Sequence, residues 1–243
     1  MITKDIEKQG GNIVSGKIIV IEACDASGKA TQTDKLFQRL IKEGHKVIKV
    51  EYPNYDSNSS ALVKMYLNGE FGSKPDDVNP YVASTFYAVD RFASYKKGWE
   101  KFYKEGGIII ADRYTTANMV HQASKIENEE EKERFLEWLW DFEFVKFGLP
   151  VPNCVLFLDM PPEFSQKLME ERKNKFTGSL QKDIHEKDIE YLANSYRNSC
   201  CVANKYNWSK VNCVYENNIK SIDEIHQDIY DLVMKEINYC NND

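Results

Sequence analysis

The chain has 243 residues, 42% of them hydrophobic and 29% charged, with a formal net charge of −6. That length suits one α/β domain with a sizeable core, and an acidic balance without a long basic stripe argues against a long nucleic acid as partner. Six cysteines without C-x-x-C spacing read as reduced thiols of a cytoplasmic protein, and no apolar run approaches the roughly 20 residues of a membrane helix.

Residues 1–16 are polar, break at Gly10-Gly11-Asn12 and carry no apolar signal core. They read as a flexible extension ahead of a single domain over 17–243. Lys17 to Ala23 then predicts a strand, Cys24 to Gly28 a tight loop, and Leu36, Phe37, Leu40 and Ile41 the apolar face of a helix ending near Gly44. Gly28-Lys29 in this context matches part of the pattern G-x-x-x-x-G-K-[ST]. In such a loop, backbone N–H groups at a helix start wrap phosphate oxygens and a lysine neutralises their charge. Ala23 replaces the first glycine and Ala30 the hydroxyl residue, so on these residues alone an ordinary strand-to-helix turn is the competing reading.

Val47 to Glu51 predicts the second strand, stopped at Tyr52-Pro53-Asn54-Tyr55, and a helix is expected over 61–67. After a loop rich in Gly, Ser, Pro and Asp, Asn79-Pro80 reads as an N-cap with proline in the first helical position. On the helix that follows, Val82, Phe86, Val89 and Ala93 are expected in the core, while Ser84, Tyr87, Ala88 and Arg91 share another face. Ile108 to Ala111 shows no alternation, as a strand buried on both faces would. Asp112-Arg113-Tyr114 then falls at its carboxyl end, where open α/β sheets bind ligands.

A long helix is expected over 127–147, with glutamates at its start that suit the helix dipole. Its later aromatic residues spread nearly round the axis, which predicts cover from a second copy in a homodimer; burial beneath the chain's own loops is the alternative. Residues 153–159 predict the fourth strand, Pro161-Pro162 another helix, 172–182 a polar mobile loop, 188–206 a helix and 211–215 the fifth strand. Ser221-Ile222-Asp223-Glu224 is a capping box opening the last helix. Strands alternating with helices give a doubly wound five-stranded parallel sheet flanked by helices.

Five motifs stand in one order: the loop at 22–32, Tyr52-Pro53-x-Tyr55, Tyr87-x-x-Asp90-Arg91, Asp112-Arg113-Tyr114 through Gln122, and Asp183-x-x-Glu186. In them the chain resembles the thymidylate kinases, over roughly residues 17–237. The resemblance implies a fold of the P-loop nucleoside-triphosphate hydrolase type and transfer of the γ-phosphoryl group of ATP to dTMP with Mg²⁺. It further implies that Ala26, Ser27, Gly28, Lys29, Ala30 and Thr31 hold ATP, with Arg172 from a lid near 172–186. Asp25, Tyr55, Tyr87, Arg91, Arg113, Asn118, His121 and Gln122 would receive dTMP; Asp25, Asp112 and Glu186 would serve the metal; Lys29, Arg113 and Asp25 would be catalytic. Tyr87 matches the aromatic that stacks on thymine, with Arg91 and Asn118 reading the base, although a surface Asp90/Arg91 ion pair would fit the same spacing. His121 replaces a common tyrosine, and Ala23, Ala26 and Ala30 depart from the family pattern. These departures keep open a kinase for another deoxynucleotide or deoxynucleoside, and a non-catalytic nucleotide-binding module.

Overall fold

A computed structural model describes residues 16–24, 27–175 and 189–238. Five parallel strands form one sheet: β1 (Lys17–Ala23), β2 (Val47–Glu51), β3 (Ile108–Asp112), β4 (Cys154–Asp159) and β5 (Ser209–Asn212), in the spatial order β2-β3-β1-β4-β5. This is the expected doubly wound sheet. Alternate β1 residues serve two cores, which is why the strand reads as an unbroken apolar run. Ile19, Ile21 and Ala23 pack with Leu36 and Leu40 of α1 (Lys29–Lys42) and with Ile225, Ile229 and Val233 of the last helix (Ile222–Asn238). Ile18 and Val20 instead meet Tyr114, Met119, Phe135, Leu139 and Val202.

α2 (Ala61–Leu67) packs with Val78 and Ala83 in a third cluster, and the helices of that second face are α3 (Pro80–Ser94), α4 (Glu100–Lys104), α5 (Thr115–His121), α6 (Glu129–Trp140) and, after α7 (Pro162–Lys175) on the other side, α8 (Ile189–Lys205). Asn79 caps α3 by accepting from Tyr81 N at 2.9 Å. The capping box of the last helix, α9, is formed: Ser221 N donates to Glu224 Oε2 at 2.8 Å and Glu224 N to Ser221 Oγ at 3.2 Å. Gly16, at the end of the expected extension, is pinned by donating to Tyr103 O at 2.7 Å; residues 1–15 lie outside the described residues.

Four local expectations need correction. On α3 the buried residues are Ala83, Ser84, Ala88, Asp90 and Arg91, whereas Val82 and Val89 are exposed. The polar face turns inward because its charged groups find partners there; Val82 and Val89 turn out, while Ala93 is half-buried and Phe86 is half-buried against Val63, Tyr66 and Leu67. The long helix starts at Glu129, capped by Asn128 Oδ1 accepting from Glu131 N at 3.0 Å, and becomes a π-helix over Asp141–Lys146. The fifth strand starts at Ser209, and Val214–Tyr215 leaves the sheet to pair antiparallel with Asn218–Ile219. That hairpin turns through Glu216 and Asn217, both at positive φ, as a two-residue hairpin loop requires. Finally, α7 continues to Lys175, past the expected loop start at Arg172, since Glu, Arg and Lys are good helix formers.

Candidate active site

The carboxyl ends of β1 and β3 lie side by side, with Ile21 opposite Asp112. From β1 the chain enters α1 through Gly28, whose φ of 82° is left-handed and whose missing Cβ would meet nothing within 4 Å. Its glycine is therefore required by backbone conformation rather than by crowding. Among the described residues no side chain caps α1, and the first-turn N–H groups of Lys29, Ala30 and Thr31 have no helical acceptor. Ser27 Oγ donates to Cys24 O at 2.7 Å and Thr33 Oγ1 to Lys29 O at 2.9 Å, which commits both hydroxyls to the backbone. Ala23, which replaces the expected glycine, is buried in the core with Leu36.

Lys29 is buried and its Nζ pairs with Asp112 Oδ1, joining the loop lysine to the end of β3. Next to it, Arg113 adopts φ 64°, unusual for a side-chain-bearing residue, and its N donates to Ile21 O at 3.3 Å. Glu22, fully buried on β1, opens the motif at 22–32 but was given no role there; a carboxylate inside an apolar strand run was the available signal. It accepts from Thr116 Oγ1 at 2.8 Å and from Ala23 N at 3.2 Å. Burial pushes its carboxyl above the ordinary range, against the opposing pull of the Arg113 and Lys29 charges.

A second polar cluster lies under α3. Arg91 and Asp90 are both buried, and each has its own partners rather than forming a surface pair with the other. Asp90 accepts from Asn54 N at 2.8 Å and Ser59 Oγ at 2.5 Å, tying the loop after β2 to α3. Arg91 grips Glu143 with Nε at 2.7 Å and Nη2 at 2.5 Å, and donates through Nη1 to Tyr114 O at 3.3 Å. Burial opposes the guanidinium charge, but Glu143 outweighs it and holds the Arg91 pKa above its ordinary value. Glu143 also accepts from Thr115 Oγ1 at 2.8 Å and Asn118 Nδ2 at 3.4 Å. It too escaped the motif reading; its trace in the sequence is one acid between Phe142 and Phe144.

The remaining expected residues are spread around these clusters. Tyr87 is half-buried against Tyr66, edge to face at 6.4 Å between ring centroids, while Tyr55 is exposed. His121 is buried and stacks on Tyr191, and Gln122 is buried with Oε1 lacking a hydrogen-bond partner among the described residues, as does Ser84 Oγ. Asp25, Ala26, Asp183, Glu186 and the Arg172 side chain lie outside the described residues. Among the described residues no group of three or more His, Cys, Asp or Glu could hold a metal.

The family model for thymidylate kinase matches residues 21–229. A thymidylate kinase of Mycobacterium tuberculosis is 27% identical over 176 residues, covering 71% of this chain and 79% of that protein. The Danio rerio thymidylate kinase is 23% identical over 218 residues, covering 89% of each. The solved thymidylate kinase of Candida albicans shares the fold, with a TM-score of 0.64 at 20% identity over 93% of this chain and 94% of that one. With the model spanning both clusters and nearly the whole sheet, the chain belongs to the thymidylate kinase family.

Proposed function

We infer that the protein is an ATP-dependent dTMP kinase, transferring the γ-phosphoryl group of ATP to dTMP. The observation that carries this beyond family membership is the buried pair between Lys29, at the start of α1, and Asp112, at the end of β3 and one residue from Arg113. An ionised phosphate acceptor needs no strong general base, so catalysis rests on in-line placement and on neutralising the charge of the transferred group. Lys29 and Arg113 supply that charge; the first-turn N–H groups of α1 cradle the donor phosphates. Tyr87, Arg91 and Asn118 receive the base, with Tyr55, His121 and Gln122 around the rest of the acceptor. Asp25, Ala26 and the 172–186 lid, with Arg172 and Glu186, complete the assignment on the family motif.

Magnesium fits this donor set. Mg²⁺ is commonly held by one or two carboxylates together with substrate phosphates, and Asp112, buried at the end of β3, is the carboxylate in place. Asp25 and Glu186 would assist. The ion would supply positive charge that offsets the charge of the transferred phosphoryl group. For Asp112 to take this part, Lys29 must exchange its carboxylate for phosphate.

Two further assignments rest on the same reading. The exposed Val82, Val89 and Phe92 of α3 and Val145 of the π-helix support a homodimer through this face. The thiols of Cys154, Cys200, Cys201 and Cys213, in no disulfide among the described residues, suit a cytoplasmic location. The decisive test measures ADP formation from ATP and Mg²⁺ with dTMP, dUMP, dCMP, dGMP, thymidine or no acceptor. Turnover centred on dTMP is expected, and Lys29→Ala should lower it by about 10²-fold or more while the far-UV CD spectrum stays unchanged. Nucleotide binding without turnover for any acceptor would overturn the assignment.

A further inference from the structure

Arg91 and Asn118 sit on different helices, α3 and α5, yet both converge on one carboxylate from a third segment. That carboxylate, Glu143, is completely buried and accepts from Arg91 twice, from Thr115 and, more weakly, from Asn118. It is delivered by a π-helical stretch, Asp141–Lys146, that continues α6 beyond Trp140. Such bulges are rare and gather at functional sites, because the wider turn re-aims a side chain that regular helix would point elsewhere. Here Glu143 and Phe144 are the buried residues of the stretch, while Val145 is exposed.

The bond pattern leaves something for a ligand. A guanidinium has five N–H groups. Glu143 takes Nε and one N–H of Nη2, and Tyr114 O takes one N–H of Nη1, so each terminal nitrogen keeps a second N–H. Ser84 Oγ lies on the same helix face as Arg91, buried and without a hydrogen-bond partner among the described residues, next to Asn118 Nδ2, which donates to Ser84 O at 3.3 Å. A buried network with one clamped side and unspent donors and acceptors on the other is arranged to meet a planar polar group.

We propose that Glu143 is the positioning residue of the acceptor-base pocket: it fixes the Arg91 guanidinium and the Asn118 amide in register so that they read the pyrimidine edge of the acceptor. It touches no substrate itself and acts through its partners. The proposal rests on the dTMP kinase reading and adds to it the residue that sets base discrimination. A guanidinium held on two edges cannot rotate to accept a base with the wrong donor and acceptor order, so the penalty for a wrong base is an unpaired buried group.

The test is Glu143→Gln in the full chain. The amide keeps the shape but faces Arg91 with a donor where an acceptor stood. KM for dTMP should rise by about tenfold, KM for ATP should stay unchanged, kcat should stay within about threefold, and the preference for dTMP over dCMP should shrink by about tenfold. If Glu143 acts through Arg91, adding Glu143→Gln to Arg91→Ala should raise KM for dTMP by less than about twofold more. Thr115→Val, which removes one donor without disturbing the ion pair, should move KM for dTMP the same way by about twofold to threefold, and serves if the first variant does not fold. A purely structural role would lower thermal stability and leave KM for dTMP and the acceptor preference unaltered in the folded fraction; that result, or full additivity with Arg91→Ala, overturns the proposal. Failure of the unmodified chain to turn over dTMP would instead remove the kinase reading, and this role with it.

Discussion

Glu22 and Glu143 divide the work of organising the site, and two adjacent threonines link them: Thr116 donates to Glu22 and Thr115 to Glu143. The first turn of α5 therefore bridges the phosphate-loop strand and the pocket under α3. Glu22 has a measurable signature. Because burial raises its carboxyl pKa above the ordinary 4.5, the native state binds that proton more tightly than the unfolded chain does. Its contribution to stability is thus full below about pH 4.5 and is lost as pH rises through the raised native value. Glu22→Gln keeps an acceptor for Thr116 and removes the titration. The melting temperature of the variant should therefore fall less, or rise more, than that of the parent as pH climbs from 4.5; parallel profiles would show that Glu22 has no shifted titration. Neither glutamate was given a role by its motif or spacing, for one physical reason. Spacing rules identify residues by what they repeat, and a lone charge within an apolar run announces burial without naming its partner.

At the scale of the element, the strands and most helix starts were legible because they obey local rules: Asn79-Pro80, the Ser221 box and the Gly28 entry each formed as read. What stayed hidden depends on partners distant in sequence. A helical wheel could not tell which face of α3 is inward, since Asp90 and Arg91 are buried only because Asn54, Ser59 and Glu143 come to meet them. The π-helix over Asp141–Lys146 breaks the 3.6-residue period on which the 127–147 reading depended. The entry to α1 provides the prediction at this scale. Gly28 has φ 82° with open space where a Cβ would go, so Gly28→Ala costs left-handed strain alone, about 1–2 kcal/mol. Gly28→Asn, whose side chain tolerates that conformation, should cost less. Urea denaturation should show the midpoint falling in that order at constant m; equal losses would mean that crowding rather than backbone strain sets the cost.

The molecule as a whole places polar chemistry on the inward side of α3 and leaves apolar surface outside. Val82, Val89 and Phe92 follow helical spacing on that outer face. Phe92 meets Phe147 edge to face at 5.3 Å, Phe147 contacts Phe142 at 4.5 Å, and Phe142 stacks on Trp138 at 5.0 Å, so the α3 face is continuous with the aromatic ridge of α6 and its π-helical extension. Some of the aromatic residues that spread around the long helix are thus buried within the chain, among them Phe135 and Phe144; Trp140 stacks on Tyr206, and Trp138, Phe142 and Phe147 continue the apolar face beside Phe92. Contiguous exposed apolar surface of this kind marks an interaction site, and a self-complementary pairing about a two-fold axis would cover α3 and the ridge at once. If so, sedimentation equilibrium should return twice the chain mass at micromolar concentration. Val89→Lys would place a charge at the centre of that contact, where its desolvation is uncompensated, and should weaken dimerisation by at least about tenfold. Because Val89 points away from the Arg91–Glu143 pair, the variant should remain folded with that pair intact. Parent chains sedimenting as monomers throughout, or a Val89→Lys variant that dimerises as tightly as the parent, would rule out self-pairing through this face.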